Sequence, residues 1–281
     1  MPTPGKSLVG FMAEAEAIGY LQNICVPPDP NDIVAMRADW QVAAAKLGPA
    51  FPNAGKPAVQ SIPASHTGYI ANLLSQNWMQ EAMAGPLLGA QFAMVEIDPL
   101  LAFQFHVDSD RSDHHCSPFS TPPTLDELFS ACLPLTPVPD PVHIQRERSG
   151  GSMLLMSRSL NFQSIQQGFI NGGLVGITVG FSLPLAHVVR FNGRCYLHNG
   201  FRRTYGARIA GATEIPCVLR DVPDAAAVGI QPVGTFQLQL MESANAPTLA
   251  HFTQGRAHDV QLRAFTRTLH VSWAEYVVPA E

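Results

Sequence analysis

Apolar positions in the first third of the chain recur every three or four residues, which is the spacing of an amphipathic helix. Asn31 is predicted as the N-cap of one such helix and Gly48 as its stop. A second helical pattern begins at Ser65, its predicted N-cap, and ends at Gly85. We therefore predict an N-terminal helical region over residues 1–90. The first helix is set by these positions: Ile33, Met36, Trp40, Ala44 and Leu47.

The middle of the chain changes to β character. Residues 92–107 are mostly apolar and β-forming. Residues 118–141 are rich in proline and predict an exposed, partly mobile insertion around 117–142. Residues 174–219 alternate strands with one helix. Together these patterns predict a folded core over 91–220, interrupted by the insertion.

Residues 159–189 contain no formally charged side chain. A helix that spans a membrane needs about 20 mostly apolar residues. Here polar residues interrupt the first half, and glycines and a proline interrupt the second. The segment therefore predicts a loop followed by a buried strand, and no membrane span. The interrupting residues are Asn161, Gln163, Gln166, Gln167, Asn171, Gly172, Gly173, Gly176, Gly180 and Pro184.

The end of the chain shows alternation of apolar and polar positions. A short strand is predicted over 237–240, and two antiparallel strands are predicted around 260–264 and 269–273. Residues 221–281 are thus expected to form a β-rich extension packed on the core. The expected fold class is α+β.

Charge limits the partners that this chain can bind. The net charge is −5 over 281 residues, so non-specific binding to nucleic acid is not favoured. Charged residues make up 14% of the chain, whereas roughly 25% is usual. A surface so poor in charge suggests cover by a protein partner or by a second copy of the chain. The alternative is a neutral surface rich in alanine and proline.

The cysteines indicate a reducing compartment. Five are present, an odd number, and no pair has the spacing of a redox or zinc motif. The N-terminus does not read as a secretory leader, because Glu14 and Glu16 interrupt the apolar run after Lys6. The expected location is the cytoplasm.

The most informative segment is a strand–turn–helix pattern over residues 188–219. The Asn-Gly pair at 192–193 predicts a two-residue hairpin turn. The returning strand breaks at a second Asn-Gly pair, 199–200, and a helix follows over 203–210. A further strand begins at 215.

This strand–turn–helix pattern is typical of a site that binds an anion. Free N–H groups at a helix start carry partial positive charge, and Gly200 would let the backbone approach a ligand closely. Arg202 and Arg203 could add bidentate contacts to phosphate oxygens. The alternative is a tight turn with two solvated arginines.

The sequence GFRRTYGARIAG at residues 200–211, followed by Ile215 and Pro216, resembles the box of ParB-type proteins. That box has Gly-Glu-Arg-Arg, a short helix, Ala-Gly, and then Val/Ile-Pro entering a strand. The turn is also similar to the Gly-x-His-Arg turn of sulfiredoxins. The resemblance implies a ParB/sulfiredoxin-like core that binds nucleotide phosphates.

The same resemblance implies site residues. Phosphate would be bound by Gly200, Arg202 and Arg203, with Asn199 and His198 lining the approach. More loosely, residues 95–107 match the opening strand and loop of the superfamily, and Gln104 would line the ligand. Phe201 stands in place of the ParB glutamate and the sulfiredoxin cysteine, so neither plasmid partition nor peroxiredoxin repair is implied.

A second cluster, residues 106–116, is dense in aspartate and histidine. These side chains are good ligands for a transition metal, and His106, Asp110 and His114 are the candidate ligands. Their spacing matches no standard zinc or calcium pattern, and a polar loop is the alternative. Asp108 is a candidate base.

These residues give three functional hypotheses. The first is a protein that binds a nucleotide or another phosphorylated small molecule, with a nucleoside triphosphate and Mg²⁺ as the expected cofactors. It could be a phosphohydrolase or phosphotransferase in which His198 or Asp108 acts as base. The second is a non-catalytic protein that assembles with itself or with a partner protein. The third is a metal-dependent nuclease.

Overall fold

The computed structural model describes residues 2–109, 119–137, 141–146, 151–157, 162–170, 174–230 and 234–273. The structure is mixed, with 34% helical and 28% strand residues, in agreement with the α+β class. The chain divides into two compact units. The first unit combines Met1–Leu135 with Pro184–Arg263, and the second combines Thr136–Leu183 with Ala264–Glu281. The first unit therefore takes segments from all three predicted regions, 1–90, 91–220 and 221–281.

The α-helices of the described chain are named here in chain order. They are α1 (Glu14–Asn23), α2 (Ile33–Lys46), α3 (Thr67–Ser75), α4 (Asn77–Ala84), α5 (Leu125–Cys132), α6 (Phe201–Ile209), α7 (Ala225–Val228), α8 (Leu238–Glu242) and α9 (Leu249–Thr253). Short 3-10 helices span Val9–Phe11 and Ala64–His66.

The strands are named in the same way. They are β1 (Thr3–Ser7), β2 (Val59–Gln60), β3 (Gln91–Glu96), β4 (His106–Asp108), β5 (His143–Arg146), β6 (Ser152–Ser157), β7 (Phe162–Ile170), β8 (Leu174–Phe181), β9 (His187–Phe191), β10 (Arg194–Asn199), β11 (Glu214–Asp221), β12 (His258–Leu262) and β13 (Arg267–Ser272).

The two predicted N-terminal helical segments are present. Helix α2 begins one residue later than expected, because the carboxylate of Asp32 accepts the N–H of Ala35 and acts as the N-cap. The second segment is divided into α3 and α4 at Gln76, whose backbone is extended. Its amide side chain folds back onto Asn72, at 3.2 Å from the carbonyl oxygen of that residue.

The predicted insertion around 117–142 contains a buried helix, so its description as an exposed connector is wrong for α5. A capping box between Thr124 and Glu127 starts this helix. Leu128, Phe129 and Cys132 form its buried face, and α5 packs on β11. The capping box and the apolar stripe outweigh the proline-rich composition around them.

The main sheet of the first unit has the order β10-β9-β11-β3-β2. Strands β9 and β10 form the predicted hairpin, with Phe191 paired to Arg194 across the turn. Helix α6 then leads into β11, which lies parallel to β9. The predicted order of strand, turn, strand, helix and strand is confirmed.

The last two strands do not pair with each other as predicted. Strand β12 pairs with β1, which also pairs with β4. Strand β13 pairs with β6 in the second unit. The alternation of apolar and polar residues fixes which face of a strand is buried, but it does not choose the partner strand.

The second unit contains a sheet of order β13-β6-β5 and the hairpin β7-β8. The loop predicted before the uncharged strand is wrong over Phe162–Ile170, because this segment is itself a strand that pairs with β8. Phe162 is fully buried, and its ring lies 5.4 Å from that of Phe181.

The strand predicted over 237–240 is wrong, because these residues begin α8. Met241 is fully buried on this helix, and leucine, glutamine and methionine are good helix formers. The alternation of Gln and Leu was too short to decide between strand and helix. No helix within the described residues is long and apolar enough to cross a bilayer.

Candidate functional site

The predicted phosphate turn lies between β10 and α6. Gly200 is the N-cap of α6 and has φ 92° and ψ 19°, a left-handed conformation. No side chain among the described residues caps the helix, and no acidic residue lies in its first turn. Arg202 and Arg203 occupy that first turn and are half-buried. The side-chain oxygen of Asn199 accepts the N–H of Gly200 at 2.8 Å.

Gly200 also has a packing role that the sequence did not show. A Cβ atom at this position would lie 3.0 Å from the Cα of Ala186. Ala186 is itself fixed, because its N–H donates to the carbonyl of Cys132 at 2.7 Å and its carbonyl accepts from Val218. The close approach that requires a glycine here is therefore made by the chain itself.

We predict that Gly200→Ala lowers the free energy of unfolding by about 2 kcal/mol, through left-handed strain and the contact with Ala186. Gly193→Ala is the matched control. Gly193 also has a positive φ, 71°, but a Cβ there would have no neighbour within 4 Å among the described residues. In the control variant only the left-handed strain should act, and it should lower the free energy of unfolding by about 1 kcal/mol. Equal losses in urea denaturation would show that the contact with Ala186 costs nothing.

His198 sits at an irregularity of β10. The register between β9 and β10 shifts between Leu197 and Asn199, so His198 is the extra residue of a β-bulge. Its Nδ1 lies 2.9 Å from the carbonyl oxygen of Val228. Because a carbonyl only accepts, Nδ1 carries the proton and Nε2 keeps its lone pair. Burial lowers the pKa of His198, so the ring is a neutral group near pH 7.

His187 faces His198 across the hairpin, and the sequence interpretation missed it. The two ring centroids are 4.9 Å apart with an interplanar angle of 70°. The Nε2 of His187 is buried and has no hydrogen-bond partner within the described chain. Burial, His198 and Arg220 lower the pKa of His187 to about 3. Part of the signal was available, because a two-residue turn at 192–193 brings residue 187 close to residue 198, although the bulge pairs His187 with Asn199.

Arg220 adds a buried donor to this region. It lies on β11, next to β9 and two residues beyond Val218, which pairs with His187. Its positive charge lowers the pKa of both His187 and His198. Its Nη1 donates to the carbonyl of Pro86, whereas its buried Nε has no partner in the part of the chain that is described. A buried N–H without an acceptor is uncommon and indicates room for a water or a ligand.

Aromatic rings pack against one another next to the turn at Gly200. Phe201 is 5% exposed, and its ring centroid lies 5.6 Å from that of Phe103. Phe103 in turn lies 6.5 Å from the ring of His198. The position held by glutamate in ParB proteins and by cysteine in sulfiredoxins is thus part of the hydrophobic core in this chain.

The remaining predicted residues lie on other elements. Gln104 is exposed and forms an isolated β-bridge with Thr235. Asp108 lies on β4 and accepts a hydrogen bond of 3.4 Å from the hydroxyl of Thr3. His198 and Asp108 therefore belong to different sheets of the first unit.

The candidate metal ligands are only partly within the described residues. Asp110 and His114 lie outside them. The Nδ1 of His106 lies 3.0 Å from the hydroxyl of Tyr20, and burial lowers the pKa of His106 to about 4. Among the described residues, no three His, Cys, Asp or Glu side chains are grouped closely enough to bind a metal ion.

Comparison of the chain with protein families, with curated proteins and with solved structures gave no match. The ParB/sulfiredoxin-like resemblance of residues 200–216 stays a prediction from the sequence.

Proposed function

We propose that the turn at Gly200 binds the phosphate of a nucleotide or of another phosphorylated small molecule. The observation that carries this proposal is the composition of the α6 start. Arg202 and Arg203 both lie in the first turn of α6, whose N-terminal end already has partial positive charge, and that turn contains no acidic residue. A phosphate bound there could accept bidentate contacts from either guanidinium group.

Two further observations support an anion in this region. The buried Nε of Arg220 and the buried Nε2 of His187 both have no hydrogen-bond partner within the described residues. The Arg220 Nε is always a donor. Burial and the nearby cation keep His187 neutral at pH 7, so its Nε2 can carry a proton and donate it in a hydrogen bond.

His198 lies two residues before Gly200, and its unprotonated Nε2 is suited to accept a proton from a nucleophilic water. If the ligand is a nucleoside triphosphate, Mg²⁺ would be expected with it. Asp108 lies on another sheet, so we assign the role of base to His198.

Binding is tested by thermal unfolding with ATP, GTP and CTP, each with Mg²⁺, and with inorganic phosphate. At 100 times Kd a ligand stabilises the native state by about 2.7 kcal/mol, a rise of roughly 5–10 °C in melting temperature. We expect at least one of these anions to give such a shift. We also expect the shift to disappear in the double variant Arg202→Ala with Arg203→Ala.

The matched control is Lys46→Ala with Lys56→Ala. It removes the same positive charge from exposed positions on other elements, and the ligand shift should survive. The proposal is wrong if none of the four anions raises the melting temperature, or if the shift persists when both arginines are removed.

A further inference from the structure

A second group of polar side chains lies in the first unit, where the 3-10 helix Ala64–His66 meets α5. The hydroxyl oxygen of Ser65 is 2.9 Å from Nδ1 of His66. The other ring nitrogen of His66, Nε2, is 3.0 Å from a carboxylate oxygen of Asp126. Serine, histidine and aspartate thus form one continuous hydrogen-bonded chain, although Asp126 is 60 residues away in sequence.

The direction of these hydrogen bonds follows from the groups themselves. An ionised carboxylate can only accept, so Nε2 of His66 carries the proton and donates it to Asp126. In the neutral ring, Nδ1 then keeps its lone pair and accepts from the Ser65 hydroxyl. This is the protonation state in which an imidazole can take a proton from a serine.

The ring of His66 is held in place by aromatic packing. It stacks on Phe129 of α5, with centroids 4.3 Å apart and an interplanar angle of 27°. Tyr69 of α3 donates to the carbonyl of Leu133 at 2.9 Å, which ties the two helices together. His66 is 8% exposed, whereas Ser65 and Asp126 are both exposed to solvent. The base is therefore fixed while the hydroxyl stays accessible.

We propose that Ser65, His66 and Asp126 form an acyl-transfer site that acts on small carboxylic esters. The Ser65 oxygen attacks the ester carbonyl carbon while its proton passes to Nδ1 of His66. The C–O bond to the leaving alcohol then breaks, and the alcohol takes that proton. A water attacks the acyl-serine in the same way, which releases the carboxylic acid and returns the proton to Ser65. Asp126 is a positioning residue that holds the ring and stabilises its cationic form.

The site is tested with a fluorophosphonate probe on the full chain, with peptide mapping by mass spectrometry. The probe should label Ser65 and spare Ser75, an exposed serine of α3 whose hydroxyl donates to Asn72 and has no histidine partner. His66→Gln should slow labelling about a hundredfold, the size of a typical general-base contribution. Hydrolysis of p-nitrophenyl acetate should fall to background in Ser65→Ala.

The role of Asp126 is tested separately, by the rate at which the probe labels Ser65 in two Asp126 variants. Because its side chain is 93% exposed, the pair is screened by solvent and Asp126→Asn should slow labelling only about tenfold. Asp126→Glu should restore most of the rate, and both variants should keep the wild-type melting temperature. A structural role alone would not give this recovery. The proposal is overturned if Ser65 is not labelled in the folded protein, if Ser65 and Ser75 react equally, or if His66→Gln leaves the rate unchanged.

Discussion

Lowering the pH from 7 to 5 should reduce the free energy of unfolding by about 6 kcal/mol, since three buried or half-buried histidines each contribute about 2 kcal/mol. These are His106, His187 and His251. Their folded-state pKa values are lowered to about 4, 3 and 4. Each ring must therefore stay neutral in the native state at pH 5, whereas the unfolded chain binds the proton.

Burial is the largest cause of all three shifts, but each ring also has specific neighbours. His251 lies between Phe11 and Phe51, with ring centroids at 4.9 and 4.7 Å, and near the cation of Arg256. Its Nδ1 accepts the N–H of Thr248 at 3.0 Å. A proton on this nitrogen would break that hydrogen bond and place a charge between two apolar rings.

The sign of the effect follows from the lowered pKa values. The contribution of these histidines to the free energy of unfolding is fully present above their unfolded-state pKa, near 6.5. This contribution is lost as the pH falls towards 4. The carboxylates with lowered pKa values, such as Glu127 at about 2, keep their charge in the native state throughout this window. Most of the loss between pH 7 and 5 is therefore assigned to histidine.

Urea denaturation at pH 7, 6 and 5 measures this loss. His187→Leu should reduce the pH dependence by about a third, since it removes one of three similar contributions of about 2 kcal/mol. His143→Gln, at an exposed position of β5, is the control and should change nothing. A free energy of unfolding that is the same at pH 7 and 5 would show that these rings accept protons in the folded state.

Phe129→Ala should lower the free energy of unfolding by about 3–5 kcal/mol, as for other fully buried phenylalanines. Phe129 is 0% exposed on α5 and contacts the rings of His66 and Tyr69 at 4.3 and 5.4 Å. Its removal would leave a cavity between α3 and α5. The same change should slow labelling of Ser65, because His66 would lose the ring on which it stacks.

Ser130→Ala is the control for this prediction. Ser130 is the next residue on the same helix and is exposed, so its replacement should change stability by less than about 0.5 kcal/mol. Chemical denaturation measures both variants. A loss below about 1 kcal/mol for Phe129→Ala would mean that α5 is not packed on α3 as described, because cavities of this size cost more.

Several features of the site could be predicted because they depend on neighbours in sequence. The Asn-Gly pair at 192–193 determined the hairpin and its register as far as Leu197, and Gly200 marked the change from strand to helix. The capping residues of α2 were located to within one position. The phosphate-binding and nuclease hypotheses came from local motifs, and the assembly hypothesis came from the low charge content of the chain. The phosphate-binding hypothesis stays a proposal that the ligand experiment must test.

Other features depended on contacts between distant segments. No local pattern in residues 118–141 showed that α5 would be buried on β11, or that β13 would pair with β6 rather than with β12. The sequence predicts Ser65 as an N-cap, and this is wrong. Ser65 lies inside the 3-10 helix Ala64–His66, the N-cap of α3 is His66, and the Ser65 hydroxyl bonds to the His66 ring.

By itself the sequence determined the local elements around the site: a hairpin, a glycine with positive φ, and a helix that begins with two arginines. Hydrogen bonding and strain over a few residues are enough to specify these. The tertiary structure alone decided that Gly200 packs on Ala186, that Phe201 joins the core, and that Asp126 reaches His66. Such contacts join segments that the chain separates, so they depend on how the whole core fills space and not on any local pattern.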